Sequence, residues 1–327
     1  MKKVVVIGAA VMDCLVVSKA LKLVKGHEVP GGIAICEMVG GKLEAERGLM
    51  ESGGGGTNVS VGLHRLGEAV KTVIRIGGDD VGELMTKQLK REDVDLSMVQ
   101  KGNGNTGLST VLVAANGGRS IVTYRGESEL LDANKIDWEE MKKADWIQLS
   151  SLGGNTHLLE DIVSFAIENG IRIGINPGRQ ELAQRDSLLR LVSKFDFFNV
   201  NRQEASMLLG HNFEDEQVMM KKMADMGIRI VAVTDGKRGA SILTNRQWIK
   251  MDATTTKSVD DTGAGDAFVS GVVAGILQEK KPEECLKMGL ANGGSVVAKL
   301  GAKEGLLYKG DMEKWVSKKI KMTEEWV

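Results

Sequence analysis

At 327 residues, the chain is long enough to bury a sizeable core, either as one large α/β domain or as two average ones. Its 43 basic and 44 acidic residues give a net charge of -1, which argues against nucleic acid or anionic lipid as a partner and favours a small molecule. The three cysteines lack zinc-like spacing and suit a reducing cytoplasm, and no segment reaches the ~18 uncharged apolar residues of a membrane span.

The first predicted element is a buried parallel strand at Val4 to Ile7, a β-branched run that ends at Gly8. The lysines before it resemble the start of a signal peptide, but Asp13 interrupts the apolar stretch that export requires. Asp13 follows the strand at the end where open α/β sheets bind ligands, and a carboxylate there accepts hydrogen bonds from sugar hydroxyls. Asp13 is therefore a candidate for acceptor binding, with an ordinary turn residue as the alternative.

Four consecutive glycines, Gly53 to Gly56, precede an amphipathic segment at Val59 to Leu66, for which Thr57 is the predicted N-cap. Such a run lets the backbone approach a ligand closely, although a flexible turn has the same composition. It is neither a P-loop nor a dinucleotide fingerprint, because no Gly-Lys pair is followed by Ser or Thr and no strand precedes it within a βαβ unit.

Two segments, residues 14–50 and 104–126, lack the alternation of helices and strands seen elsewhere. The first is rich in Val, Ile and Gly, and in the second the predicted strands Leu108 to Ala115 and Ser120 to Tyr124 flank the hairpin signal Asn116-Gly117-Gly118. We expect the two segments to form a small β-sheet lid that closes over a crevice and excludes water.

From about residue 130 the chain alternates strand-like and helix-like segments, which predicts a mostly parallel sheet covered on both faces. With only three prolines and no linker, one domain with a lid is the simplest organisation. The predicted strands are Trp146 to Ser150, Ile171 to Ile175, Phe195 to Val200 and Ile230 to Thr234, and the predicted helices are Asn155 to Asn169, Asp215 to Met226 and residues 264–279, 283–299 and 311–321.

Two strand ends in this region carry candidate ligands. Asn201 and Glu204 follow one predicted strand at a spacing that places both on one helix face, and their oxygens suit Mg²⁺ together with waters and substrate phosphates. The turn Thr234-Asp235-Gly236, which continues to Gly239, can present hydroxyl and backbone donors to nucleotide phosphates, although Asp-Gly is also a common turn.

The string Asp261 to Phe268 places Asp266 at a helix start behind Gly263, Ala264 and Gly265. The first N–H groups of a helix lack intrahelical partners and carry partial positive charge, so they can hold a phosphoryl group during transfer. Asp266 is the candidate general base, and we expect the helix start to lower its pKa.

Taken together, these segments resemble the ribokinase-like (PfkB) family of sugar and nucleoside kinases over nearly the whole chain. Gly53 to Asn58, continued by Ile76 to Gly82, looks like its first signature, and Asp261 to Gly271 looks like its second. The resemblance implies a three-layer α/β/α fold with a mostly parallel central sheet and a small β-sheet lid, and a kinase that uses ATP and Mg²⁺.

Position by position, the resemblance assigns roles to the matching residues. Asp266 would be the general base, and Gly263, Ala264 and Gly265 would form the anion hole. Asp13, Gly54, Gly55 and Asn58 would hold the acceptor, Asn201 and Glu204 the magnesium ion, and Thr234, Gly236, Gly239 and Asn292 the ATP. Asp260 and Thr262 match positions that bind K⁺ in cation-activated members, where backbone carbonyls near Leu300 to Lys303 must also fit.

One departure bears on the acceptor: many relatives carry Lys where this chain has Gly55. A phosphorylated sugar would lose a cationic partner, which favours an unphosphorylated sugar or a nucleoside, unless Arg119, Arg125 or Arg179 supplies the charge. A nucleoside kinase and a sugar sensor without activity are the alternative functions, and unpaired lid strands suggest a homodimer.

Overall fold

The computed structural model describes residues 1–25, 33–36, 40–114, 118–210, 215–254, 256–317 and 320–327. The strands of these residues, numbered along the chain, are β1 (Lys3–Ile7), β2 (Val11–Ser18), β3 (Lys22–Lys25), β4 (Ile33–Cys36), β5 (Arg47–Gly53), β6 (Ala69–Val73), β7 (Arg75–Gly77), β8 (Gln100–Gly102), β9 (Gly107–Ala114), β10 (Arg119–Tyr124), β11 (Trp146–Leu149), β12 (Arg172–Ile175), β13 (Phe197–Asn201), β14 (Ile230–Thr234), β15 (Ala240–Thr244), β16 (Gln247–Met251) and β17 (Met322–Trp326).

Most of the predicted helices begin and end close to helices of the structure, but the last one, predicted at 311–321, ends at Val316. The helices of the structure are α1 (Gly55–Arg65), α2 (Asp80–Arg91), α3 (Trp138–Met141), α4 (Thr156–Glu168), α5 (Arg179–Ala183), α6 (Arg185–Leu191), α7 (Arg202–Leu209), α8 (Glu216–Asp225), α9 (Ala264–Leu277), α10 (Pro282–Val296) and α11 (Lys309–Val316).

A large sheet of mixed direction dominates the described chain, with the strand order β17-β16-β15-β14-β13-β12-β11-β1-β6. The neighbouring strands β6, β1, β11, β12, β13 and β14 are parallel to one another. At the other end of the sheet, β15, β16 and β17 are added in antiparallel pairs. The prediction of a mostly parallel central sheet is confirmed. The prediction that the chain ends in helices is incomplete, because β17 follows α11 and pairs with β16.

Helices cover both faces of the large sheet and give it three layers. Neighbouring residues of one strand point to opposite faces, so Trp146 and Phe197 belong to one core cluster and Ile147 and Phe198 to the other. Side chains of α1, α9 and α10 fill the first cluster, and side chains of α4, α7 and α8 fill the second. This burial on both sides explains why the parallel strands are runs of apolar residues.

A second, small sheet has the strand order β10-β9-β2-β5, in which β2 and β9 are parallel and the other pairs antiparallel. Parts of both segments that lack helix and strand alternation lie in this sheet, so the prediction of a small β-layer is confirmed, while β3 and β4 of the first segment pair separately with each other. The predicted turn residues Asn116 and Gly117 lie outside the described residues. The alternative of Asp13 as a turn residue is wrong, because Asp13 lies within β2.

The parallel strands all point the same way, and the candidate site lies where their carboxyl ends meet. Ile7 pairs with Leu149, Leu149 with Ile175, and Asn201 with Thr234. The turns after these strands therefore lie side by side, as open α/β sheets require for ligand binding. In the described ranges, none of the helices combines the length and apolarity needed to cross a bilayer.

Candidate active site

The start of α9 provides the central feature of the site. Gly263 caps the helix with a left-handed φ of 74°, and a Cβ there would lie 2.5 Å from the Cβ of Ala302. Only glycine meets both conditions without strain. Asp266 is the third residue of the helix, and around Gly265 the structure leaves open space where a Cβ would stand. Gly265 thus borders open space that a ligand can enter, while the N–H of Ala264 donates to Asp261 O at 3.3 Å.

The run Gly53 to Gly56, called the glycine turn below, packs against the ends of β1 and β11. Gly54 is the N-cap of α1 with φ 85°, so the predicted N-cap Thr57 is wrong; Thr57 lies inside the first turn. A Cβ on Gly54 would lie 2.5 Å from the carbonyl oxygen of Ala9. A Cβ on Gly55 would lie 1.8 Å from Ser150 Oγ and 3.3 Å from Asp266 Oδ1. The turn therefore excludes side chains so that its backbone can approach Asp266.

Asp266 and Asn58 join the two helix starts. Asn58 Nδ2 donates to Asp266 Oδ2 at 2.8 Å, and Asp266 is partly buried. Burial raises the pKa of Asp266 above its usual range, while the Asn58 hydrogen bond and the charge of Lys303 act in the opposite direction. The expected lowering of this pKa by the helix start is wrong, because desolvation of the carboxylate outweighs it.

Lys303 is a site residue that sequence reasoning did not identify. The family resemblance gives a role only to its backbone carbonyl, as a cation ligand. Its side chain is 4% exposed, and its ammonium group donates to Ser52 O, to Thr57 Oγ1 at 3.0 Å and to Asn58 Oδ1 at 2.5 Å. Burial lowers the pKa of Lys303 to about 8 despite the neighbouring carboxylates. No local motif marks it, since 245 residues separate it from Asn58.

Asp13 lies beside the glycine turn on the small sheet. Its cross-strand neighbours are Glu51 on β5 and Ser109 on β9, and a Cβ on Gly53 would lie 1.9 Å from its Oδ2. Burial raises the pKa of Asp13 to about 6, although a hydrogen bond with Ser109 and the charge of Lys303 lower it. The residues predicted to bind the acceptor thus lie within the glycine turn or beside it: Asp13, Gly54, Gly55 and Asn58.

The loop before α9 is held by Asp260, the predicted potassium ligand. Asp260 Oδ1 accepts hydrogen bonds from the N–H and hydroxyl of Thr262 at 3.0 and 2.7 Å, and Oδ2 accepts from Gly301 N–H at 3.0 Å. Asp260 is 4% exposed, and Arg119 of β10 lies 3.8 Å from Oδ1. Because both carboxylate oxygens have protein partners, a monovalent cation here would depend on backbone carbonyls.

Asn201 and Glu204 form a capping box at the start of α7. Asn201 Oδ1 accepts from Glu204 N–H at 2.9 Å, and Glu204 Oε2 accepts from Asn201 N–H at 2.8 Å. Burial raises the pKa of Glu204. Within the described ranges, no group of three or more His, Cys, Asp or Glu side chains is placed to hold a metal. A Mg²⁺ ion at Asn201 and Glu204 would also need phosphate oxygens and waters among its ligands.

The predicted phosphate turn lies next to this capping box, because Thr234 pairs with Asn201. Asp235 accepts hydrogen bonds from Arg238, at 2.7 and 2.8 Å, and from Arg202 at 3.1 Å. Gly236 is exposed. Gly239 has φ 97°, and a Cβ there would lie 1.9 Å from Met251 O, so glycine is required. Two guanidinium groups thus lie at the turn predicted to contact phosphates.

Asn292 is set apart from the other predicted ATP residues. Its side chain is 0% exposed; its Nδ2 donates to Ala267 O and Ser270 Oγ, and its Oδ1 accepts from Leu307 N–H. These bonds connect α9, α10 and the following loop. Its neighbours Gly293 and Gly294 are partly exposed: a Cβ on Gly293 would lie 3.2 Å from Ala264 O, and a Cβ on Gly294 would lie 2.0 Å from Thr254 Oγ1.

The fold and the two glycine-lined helix starts define the class, that of ribokinase-like kinases. A family model described as pfkB family carbohydrate kinase matches residues 1–307, and the chain belongs to this family.

Two curated relatives and one solved structure show the extent of the similarity. The chain is 30% identical over 255 residues, 75% of its length and 98% of the relative's, to an uncharacterized sugar kinase of Archaeoglobus fulgidus. It is 29% identical to the ribokinase of Haemophilus influenzae, covering 78% of this chain and 83% of that one. The structure of Arabidopsis thaliana ribokinase with ribose and ATP superposes with a TM-score of 0.77 at 22% identity over 97% of this chain and 99% of that one, which is a likeness of fold.

Proposed function

We propose that this chain transfers the γ-phosphoryl group of ATP, bound with Mg²⁺, to a hydroxyl group of a small unphosphorylated sugar, with Asp266 as the general base. The observation that carries the proposal is the position of Asp266. It lies at the open start of α9 and is oriented by Asn58 beside the glycine turn, at 2.8 Å. A carboxylate beside the first N–H groups of a helix combines proton removal with phosphate binding at one point.

In the proposed reaction, an acceptor hydroxyl oxygen attacks the γ-phosphorus while the bond to the β,γ-bridging oxygen breaks. The hydroxyl proton passes to Asp266, and ADP leaves with the bonding electron pair. Phosphoryl transfer has a loose transition state, so positioning and charge neutralisation supply most of the rate. The N–H groups of Gly263, Ala264 and Gly265 are the proposed anion hole, where one well-aimed donor is worth about 3 to 4 kcal/mol.

The acceptor site is proposed between the glycine turn and the small sheet. Asp13 supplies carboxylate oxygens for sugar hydroxyls, and Asn58 lies between the acceptor and Asp266. All three hydrogens of the Lys303 ammonium already have protein acceptors, so this group is not available to a sugar phosphate. This supports an unphosphorylated acceptor. Arg119, Arg125 and Arg179 remain alternative cations for a phosphorylated one.

The nucleotide is proposed to lie along the turns after β13 and β14. Thr234, Gly236 and Gly239 would contact its phosphates, and Glu204 would reach its Mg²⁺ through water or directly. The ribokinase of Arabidopsis thaliana, which shares the fold, was crystallised with ribose and ATP. A sugar and ATP are therefore the first ligands to test.

The decisive experiment replaces the proposed base. Asp266→Asn should retain ATP binding, measured by calorimetry, and should lower kcat by about 10² to 10⁴ in an ADP-release assay. Asp311→Asn is the matched control, since Asp311 is also the third residue of its helix but is exposed on α11. Near-normal kcat in Asp266→Asn would refute the assignment.

The same assay run over a panel of acceptors tests the substrate class. The panel holds unphosphorylated pentoses and hexoses, their phosphates, and nucleosides. We expect turnover with a free sugar. Preference for a nucleoside would make the chain a nucleoside kinase of this fold, and sugar binding without ADP release would make it a sensor.

A further inference from the structure

Lys303 places a buried positive charge inside the glycine turn, and the proposed reaction does not use it directly. The residue is 4% exposed and lies in the loop between α10 and α11. Its acceptors are a backbone carbonyl at Ser52, the hydroxyl of Thr57 and the amide oxygen of Asn58. Burial of an ammonium group costs desolvation free energy even when all of its hydrogens have acceptors. This cost indicates that the charge has a role.

The donors and acceptors around Asn58 fix the orientation of its amide. An ammonium group can only donate, and an ionised carboxylate can only accept. With Lys303 on one side and Asp266 on the other, Asn58 must present Oδ1 to Lys303 and Nδ2 to Asp266, as observed at 2.5 and 2.8 Å. An apolar side chain in place of the ammonium would leave Oδ1 with only the Thr57 hydroxyl, at 3.4 Å, and would weaken the constraint on the amide.

The loop that carries Lys303 is held by the same helix that carries Asn58. Arg65, at the end of α1, donates to Lys303 O at 2.8 Å and to Leu306 O at 3.0 Å. Its guanidinium also pairs with Glu92 at 2.8 Å and lies over the Tyr308 ring at 4.9 Å. The two ends of α1 therefore fix the backbone and the side chain of Lys303 relative to Asn58.

We propose that Lys303 is a positioning residue for the phosphoryl transfer, acting through Asn58 to orient the Asp266 carboxylate and to keep it ionised. This inference rests on the proposed function for its kinetic consequences, but its structural part concerns only the contact between Lys303, Asn58 and Asp266. A hydroxyl proton can be taken only by an ionised Asp266, so the charge of Lys303 would set how much of the enzyme is active at a given pH.

Several charged groups face this contact and act on it together. Glu51 of β5, Asp13 of β2, Asp266 of α9 and Glu92 after α2 favour the charged form of Lys303, while burial opposes it and lowers its pKa to about 8. Arg65 faces the same loop. These carboxylates favour the ammonium form of Lys303, which can only donate hydrogen bonds and therefore keeps Oδ1 of Asn58 turned toward it.

The structural part can be tested by NMR on the unsubstituted protein and on Lys303→Met. The side-chain NH₂ resonances of Asn58, assigned with Asn58→Ala, should differ in chemical shift between the two proteins. The ¹³C-labelled carboxyl of Asp266, assigned with Asp266→Asn, should titrate at a higher pH in Lys303→Met than in the unsubstituted chain, by about one unit. Asn58 resonances that are the same in the unsubstituted protein and in folded Lys303→Met would overturn the proposal, whether or not the chain is a kinase.

Kinetics test the consequence for activity. Lys303→Met should lower kcat by about 100-fold and move the acid limb of the pH profile upward, while Lys299→Met, an exposed lysine of the same loop, should change neither. Lys303→Arg keeps the positive charge and the hydrogen-bond donors and should recover part of the activity that Lys303→Met loses. An unchanged acid limb in a folded Lys303→Met protein would contradict the proposal.

A double-mutant cycle separates positioning from a merely structural role. If Lys303 acts through Asn58, Lys303→Met should add little to the loss already caused by Asn58→Ala. Independent, multiplicative losses would show that Lys303 supports the fold and not this contact. Wild-type protein without kinase activity, but with the expected NMR shifts, would reject the proposed function and keep the structural inference.

Discussion

Asp13 is a carboxylate that is 8% exposed, and its ionisation should cost stability. Its pKa rises from 3.8 in the unfolded chain to about 6 in the fold, because burial disfavours the charge. The folded state therefore binds the proton more tightly, and stability falls as the pH rises from about 4 to about 6. Asp13→Asn should raise the free energy of unfolding at pH 7 by up to about 3 kcal/mol while weakening acceptor binding.

Urea unfolding of the two proteins at pH 4 and pH 7 measures this effect. The stability difference should be small at pH 4 and larger at pH 7. Asp186→Asn, at an exposed position of α6, is the control and should show no such difference. Equal stability of Asp13→Asn and the parent at pH 7 would mean that Asp13 is better compensated in the fold than its burial suggests.

At the scale of elements, Glu204 caps the start of α7 and is also the proposed magnesium ligand. A substitution can separate these two roles. Gln at the third helical position still completes a capping box, so Glu204→Gln should keep the thermal stability of the protein. It removes a charge that Mg²⁺ prefers, so the Mg²⁺ concentration for half-maximal activity should rise several-fold. The measurement is a Mg²⁺ titration of ADP release at fixed ATP.

The α10 helix offers a matched control for this substitution. Glu284 occupies the same third position of α10, where its Oε2 accepts from Lys281 N–H at 3.0 Å. Glu284→Gln should leave the Mg²⁺ titration unchanged. If Glu204→Gln behaves like Glu284→Gln, then the box at α7 is only a cap and the metal prediction fails.

The elements that sequence analysis predicted are those whose signals are local. The strand at Val4 and the helix behind Gly263 follow from runs of neighbouring residues, and both are present. The strand β17 was missed because all five of its residues are exposed and no apolar face marks it. Lys303 was missed because its partner Asn58 lies on a distant segment, and only the packed fold brings the two together.

At the scale of the whole molecule, the small sheet is attached to the large one at the active site. β2 carries Asp13, β5 leads into the glycine turn, and β10 carries Arg119, which lies 3.8 Å from Asp260. Movement of this sheet would therefore open or close the acceptor site. This arrangement supports, as a prediction, the role of a lid for the segments 14–50 and 104–126.

The exposed surface of β10 leads to a prediction about assembly. β10 is the last strand of the small sheet, and every one of its residues is exposed, including Ile121, Val122 and Tyr124 at 49%, 71% and 57%. In the parts of the chain that the structure describes, no strand pairs with its outer edge. Exposed strand edges with apolar side chains favour association, so we expect a homodimer through the small sheets.

Sedimentation equilibrium measures this association. Val122→Lys should weaken the dimer at least tenfold, because a buried ammonium without a partner costs more than 1.4 kcal/mol at such an interface. Val218→Lys, at a 45% exposed valine on α8, should leave it unchanged. A protein that stays monomeric at high concentration would contradict the prediction. If the dimer holds the lid in place, Val122→Lys should also raise the KM for the acceptor, because each protomer would then order its lid strands alone before binding.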